Sequence, residues 1–166
     1  MRKAIFAAFM LLAGSAGAIA PEMAAAQQTT QFQVTLTIQA ECRLTSATDL
    51  AFGTTGVIQA AINSTSAIGV QCTNTTPYNI GLDPGTAPGA TVTTRHMSSG
   101  AGATVAYQLF RDEARSQNWG NTAGTDTLAG TGNGAVQTVT VYGRVPPQTT
   151  PAAGTYADTV RVTVTY

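Results

Sequence analysis

The sequence predicts an all-β fold, an antiparallel sandwich or barrel, on three observations. Short segments rich in Val, Ile, Thr and Tyr recur along the chain, the composition that suits a pleated, half-buried surface. Clusters of Gly, Pro, Asn and Ser separate them, supplying turn chemistry between strands. Helical periodicity is scarcely visible. The one candidate, "RDEARSQNWG" at 111–120, is short and polar, so no crossover helix is at hand for a parallel sheet.

Residues 1–26 read as an export signal. Arg2 and Lys3 form a positive start, an apolar run interrupted only by small residues follows, and Ala24, Ala25 and Ala26 offer a small-residue cleavage site. Pro21 and Glu22 stand where a membrane anchor would need more Leu, Ile or Val. The chain from residue 27 onward is then one domain of ordinary size, expected in an oxidising compartment.

The next element is "QFQVTLTIQAEC" at 31–42. Phe32, Val34, Leu36, Ile38 and Ala40 fall on one face of a strand, and Gln33, Thr35, Thr37 and Gln39 on the other. Such alternation demands a core for the apolar face without saying which core. Further strands are read at 49–53 (DLAFG), 67–72 (AIGVQC), 77–83 (PYNIGLD), 104–112 (TVAYQLFRD), 135–145 (AVQTVTVYGRV) and 155–166 (TYADTVRVTVTY). The Gly-, Thr- and Ala-rich stretches 83–103 and 120–135 read as exposed loops. In the last strand Val160, Val162, Val164 and Tyr166 alternate with Arg161, Thr163 and Thr165, giving a second half-buried strand.

Charge excludes several classes of function. Beyond residue 26 there are six arginines, no lysine and seven acids, so the chain is neither a basic nucleic-acid binder nor a polybasic lipid binder. A polar surface with little charge suits packing against copies of itself, because like-charge repulsion between subunits is small. Cys42 and Cys72 are the only cysteines, and in an exported chain they are expected to pair.

Catalytic chemistry finds no footing. The single histidine, His96, lies in "TTRHMSSGAG" without an orienting carboxylate or nucleophile at a recognisable spacing, and reads as a loop residue. Asp112 and Glu113 are adjacent, so on a strand they would face opposite ways. Two cysteines and one histidine do not make a zinc site, and Gly130, Gly132 and Gly134 lack the strand-to-helix transition of a phosphate cradle. No enzyme, cofactor or metal is therefore expected. The triplets Asn63-Ser64-Thr65 and Asn74-Thr75-Thr76 match the glycosylation sequon, a common coincidence in a chain this rich in Asn, Ser and Thr. Trp119, in "NWGN", reads as a structural residue at a strand-end turn, with a sugar-stacking platform as the rival reading.

Taken together, "QVTLTIQAEC", "CTNTTPYNIGLD", "YQLFRD" followed by "WGN" and a Gly-rich loop, and the ending "VYGRVPPQTTPAAGTYADTVRVTVTY" resemble the spore coat protein U domain family, which includes the pilins of archaic (Csu-type) chaperone-usher pili. The resemblance implies an immunoglobulin-like β-sandwich lacking its last strand, completed by the N-terminal segment of a neighbouring subunit. On that basis residues 27–39 would be the donor segment, with Phe32, Val34, Leu36 and Ile38 as its plugs. Residues 40–166 would be the sandwich, with Val160, Val162 and Val164 on the acceptor side. It further implies neighbouring copies of the chain, a periplasmic chaperone and an outer-membrane usher as partners, and passage through the periplasm to a fimbrium at the cell surface that supports adhesion and biofilm formation. The alternatives are a secreted spore or cell coat protein of the same fold and a monomeric carbohydrate-binding sandwich.

Overall fold

The computed structural model describes residues 25–100 and 102–166. The expected export signal lies outside them apart from Ala25 and Ala26. The chain divides into two units, Met1–Leu36 and Thr37–Tyr166. In the described part of the first, 25–36, no residue is in a helix or strand, and Phe32, Val34 and Leu36 are each more than four-fifths exposed.

The second unit is all-β. Its strands are β1 (Cys42–Ala47), β2 (Ile62–Cys72), β3 (Pro77–Leu82), β4 (Arg95–Ser98), β5 (Thr104–Phe110), β6 (Leu128–Thr131), β7 (Val136–Val145) and β8 (Val162–Thr165). They form an antiparallel five-stranded sheet, β1-β2-β7-β5-β4, and an antiparallel three-stranded sheet, β6-β3-β8. One apolar cluster joins the two. Ile68 and Val70 on β2, Tyr107 and Leu109 on β5 and Val141 on β7 meet Tyr78, Ile80 and Leu82 on β3, at alternate positions along each strand. Cys42 and Cys72 lie opposite each other at the β1–β2 register and are joined by a disulfide, as their compartment led us to expect.

Five sequence expectations need correction. The stretch read as a strand over 31–42 is in no strand before Cys42, its apolar side chains having no sheet of their own to pair with. "DLAFG" forms no strand: Leu50 and Phe52 lie across Gly143 of β7, where a side chain would run into the Leu50 methyls at 2.8 Å and the Phe52 ring at 3.0 Å. Their alternation reflects packing onto the sheet rather than membership of it. The stretches 83–103 and 120–135 contain β4 and β6, which have too few apolar residues to register as strands. His96 accordingly sits half-buried on β4 rather than in an exposed loop. Finally, the strand read over 155–166 is split. Ala157 exchanges backbone hydrogen bonds with Ser98, the last residue of β4, and only Val162–Thr165 joins β3, so the segment crosses from one sheet to the other.

Two side chains hold that crossover region together. Arg95 is fully buried, and its guanidinium donates to the carbonyls of Asp83, Val92, Leu82 and Trp119 at 2.7–2.9 Å. Trp119 is also fully buried and donates its indole N–H to the Ile80 carbonyl at 2.8 Å. A ring so placed is a core strut and cannot act as a surface platform for sugar. Arg95→Met should keep the bulk while removing the donors of four carbonyls. Since each unsatisfied buried group costs on the order of 1–3 kcal/mol, the urea midpoint of the variant is expected to fall by the equivalent of at least about 2 kcal/mol.

Candidate interaction groove

The sandwich is open along one side. Among the described residues β1 pairs only with β2, and β8 only with β3. Between the segment after β1, from Ala47 to Phe52, and the approach to β8, from Tyr156 to Val162, the core opens into a groove of about 490 Å³, far beyond the water-sized voids that close packing leaves. Ile68, Leu82, Leu109 and Val141 form its apolar floor, and Val160 and Val162 one of its walls. Leu50, Phe52 and Met97 also line it and are half-buried against the core.

The ladder pattern shows what the two edges offer. The Asp83 amide donates to the Arg161 carbonyl at 3.1 Å, so Arg161 turns its backbone groups toward β3. By antiparallel alternation Thr163 and Thr165 do the same, and Val162 and Val164 turn theirs to the free edge. Consistently, the Leu82 amide, opposite Val162, points away and bonds to the Gly120 carbonyl at 2.9 Å. Val162 and Val164 therefore direct side chains inward and backbone donors and acceptors outward. On β1, the Thr73 amide bonds to the Glu41 carbonyl at 2.9 Å, which by the same alternation turns the backbone groups of Cys42 and Leu44 to that strand's free edge.

Asp158 shapes the rim of the groove. Its Oδ1 accepts the Thr86 amide, the Thr86 hydroxyl and the Thr159 amide, each at 2.8 Å, and its Oδ2 accepts the Tyr107 hydroxyl at 2.7 Å. Burial pushes its pKa up, but these donors, the Thr86 amide first, outweigh burial and hold it below the ordinary carboxylate range. Burial, and then the hydrogen bond to Asp158, push the Tyr107 phenol well above its ordinary value. Asp83 adds a second tie, accepting the Arg161 amide at 2.9 Å and the Gly85 amide at 3.0 Å. The segment carrying Tyr156, Asp158 and Val160 is thus fixed to the loop after β3 and to β5.

The residues singled out in the sequence fall as follows. Val160 and Val162 line the groove, and Val164 is half-buried against the core one pair further along β8. Phe32, Val34, Leu36 and Ile38 are 76–87% exposed. Sequence reasoning missed Leu44, which lies opposite fully buried Val70 and so faces the core, yet remains 38% exposed. It also missed Asp158, although the Gly-x-Tyr-x-Asp pattern at 154–158 contained it. Among the described residues no group of three or more His, Cys, Asp or Glu could hold a metal ion.

A comparison with protein-family models matches the Spore Coat Protein U domain over residues 28–163. The chain belongs to this family. A curated relative, Protein U of Myxococcus xanthus, is 38% identical over 107 residues, covering 61% of this chain and 59% of that protein. Among solved structures, a chain from the CsuC–CsuE chaperone–tip adhesion subunit pre-assembly complex of the archaic chaperone-usher Csu pili of Acinetobacter baumannii matches with a TM-score of 0.56 and 27% identity. That match covers 78% of this chain and 40% of the other. The chain thus spans about three fifths of Protein U and two fifths of the Csu chain. Its spore coat protein U fold is an immunoglobulin-like sandwich, and its family places it among structural proteins rather than enzymes.

Because the Asp158 pKa is lower in the folded chain than in the unfolded one, its contribution to stability is full above about pH 4, the unfolded value, and is lost as pH falls through the folded value. Asp158→Asn should lower the urea midpoint at pH 7 by the equivalent of about 1–2 kcal/mol, a carboxylate that receives several hydrogen bonds being replaced by a neutral amide. The wild-type midpoint should drop more steeply than the variant's as pH falls below about 4.

Proposed function

We propose that this chain is a structural subunit of a bacterial surface fibre, polymerising by donor-strand complementation: residues 28–39 of one copy fill the groove of the next. The observation that carries this reading is a match within one sequence. A segment with four exposed apolar side chains at every second position accompanies a sandwich whose core is open along one side, flanked by two unpaired strand edges. An added strand would bring Phe32, Val34, Leu36 and Ile38 onto the apolar floor and pair its backbone with Val162 and Val164. Burying the four side chains is worth very roughly 1.5–3 kcal/mol each before ordering costs, enough to make dissociation slow.

An open groove of this kind exposes both apolar surface and unpaired backbone groups, and before assembly it needs a cover. A periplasmic chaperone is the cover that this reading requires, followed by an outer-membrane usher and export to a fimbrium with roles in adhesion and biofilm formation. Support comes from the likeness to a chain of a chaperone–subunit pre-assembly complex. In this scheme residues 1–26 are the export signal, 27–39 the donor segment and 40–166 the acceptor sandwich. The family's description as a spore coat domain favours a second reading, a coat protein of the same fold assembled without an usher.

Leu36→Asp places a charge where the donor needs an apolar plug. It should leave export and chaperone binding intact while reducing polymer, seen as a ladder in unheated gels, at least tenfold. A wild-type ladder from this variant overturns the donor assignment. Assembly that persists in cells lacking chaperone and usher favours the coat protein.

A further inference from the structure

The outer face of the five-stranded sheet carries a cluster that the groove does not use. On β5 and β7 the core takes Leu109, Val141 and Val145, so the alternate residues Gln108, Phe110, Tyr142 and Arg144 project to the outside. The register sets them in two rows across three strands, Asn63, Arg144 and Gln108 in one and Thr65, Tyr142 and Phe110 in the next. Arg144 lies over the Phe110 ring, and Arg115, from the loop after β5, lies over the Tyr142 ring, each guanidinium carbon 5.7 Å from the ring centroid. Because Phe110 and Tyr142 are directly opposed, both guanidiniums belong to one patch.

Neither guanidinium is fully used by the fold. Arg144 gives Nε to Asn63 Oδ1 at 3.2 Å, and its two η nitrogens have no acceptor among the described residues. Arg115 gives Nε to the Gly143 carbonyl at 3.1 Å and Nη1 to the Glu113 carbonyl at 3.0 Å, leaving Nη2. Among the described residues the one ion pair joins Arg43 to Glu41, so no carboxylate neutralises either charge. The acids of the same loop do not serve: Asp112 accepts the Ser116 and Gln117 amides and the Ser116 hydroxyl, and Glu113 is exposed without an ion pair. Arg115 also holds a left-handed backbone, φ 55°, a conformation that costs an L-residue and not a glycine. Glycine would close this turn more easily, but no cation would then cover Tyr142.

A guanidinium stacked on a ring is held in place, and its remaining N–H groups keep the planar fork that matches a carboxylate. Around the two cations stand neutral polar groups, the amides of Asn63 and Gln108 and the hydroxyl of Thr65, which suit sugar hydroxyls. Two arginines without a lysine fit carboxylates spaced along an otherwise neutral polymer. They do not fit a nucleic acid, whose duplex carries one charge per about 1.7 Å. No exposed large apolar side chain lies in these rows to enter a lipid surface. We infer that the rows form a binding surface for an acidic polysaccharide, with Arg115 and Arg144 holding its carboxylates and Asn63, Gln108 and Thr65 its hydroxyls. The surface is on the opposite face of the sheet from the groove, and the inference does not depend on what fills the groove.

Retention of the full-length chain on immobilised polygalacturonate, with immobilised dextran as the neutral control, tests it. The chain should bind polygalacturonate and pass through dextran. Binding should weaken as ionic strength rises from about 0.01 M to about 0.15 M and the screening length shortens from about 30 Å to about 8 Å. Combining Arg115→Gln with Arg144→Gln should weaken it at least about tenfold, and Arg144→Lys, which keeps the charge without the fork, should weaken it alone. If the double variant does not fold, the wild-type chain still decides: soluble oligogalacturonate should elute it, and neutral glucose oligomers should not. A wild-type chain that passes through polygalacturonate, binds dextran equally or is eluted equally by the neutral oligomers overturns the inference. So does a folded double variant that binds as the wild type does, or tighter binding to polyphosphate, which would assign the two guanidiniums to phosphate.

Discussion

The one-sided pairing of β8 is the constraint on which the rest of this molecule depends. A strand bonded to β3 alone must still place Val162 and Val164 against the core, so the sandwich is built with one long side open and its neighbours arranged to hold that side open. Arg95 gathers four carbonyls from the loops behind β3, Asp83 ties Arg161, and Asp158 ties the approach to β8 onto Thr86 and Tyr107. These polar contacts hold a strand that has a ladder on one side alone. They fix the position of an edge that packing alone leaves free to collapse.

The sequence revealed the parts of the fold that alternate over a long enough run. β3 and β5 carry apolar residues at every second position throughout, while in β2 and β7 the pattern holds over Ile68–Cys72 and at Val139, Val141 and Val145, so Ile62–Ser66 went unread; the Cys42–Cys72 pair followed from compartment and from there being only two cysteines. β4 and β6, with four residues each, have too little pattern to stand out from Gly- and Thr-rich surroundings. Leu50 and Phe52 misled in the opposite way. Their spacing is that of a strand, yet it arises because both lean onto the same flat patch around Gly143, which no local pattern can disclose.

The groove was half legible. Val160, Val162 and Val164 were visible as an alternating set, and so was the 32–38 run. The opposite side was not, because Leu50 and Phe52 read as a strand of their own and nothing in their spacing says that they line an opening. Asp158 was hidden for a related reason: a lone aspartate becomes a hub only when Thr86 and Tyr107, far away in sequence, are brought to it. Long-range partners of single polar residues are the class of information that periodicity does not hold.

The position of the disulfide also has a mechanical side. Cys42 is the first residue of β1, and its bond to Cys72 joins it to the last residue of β2, a long central strand with β7 on its other side. Tension applied to the chain ahead of residue 42 therefore enters the sandwich through a covalent cross-link. It is carried along β2 as shear on the ten register pairs shared with β7, and does not unzip the β1–β2 ladder one hydrogen bond at a time. A strand loaded in this way yields only when many bonds give together, so the weakest joint under force lies elsewhere than at the root of β1.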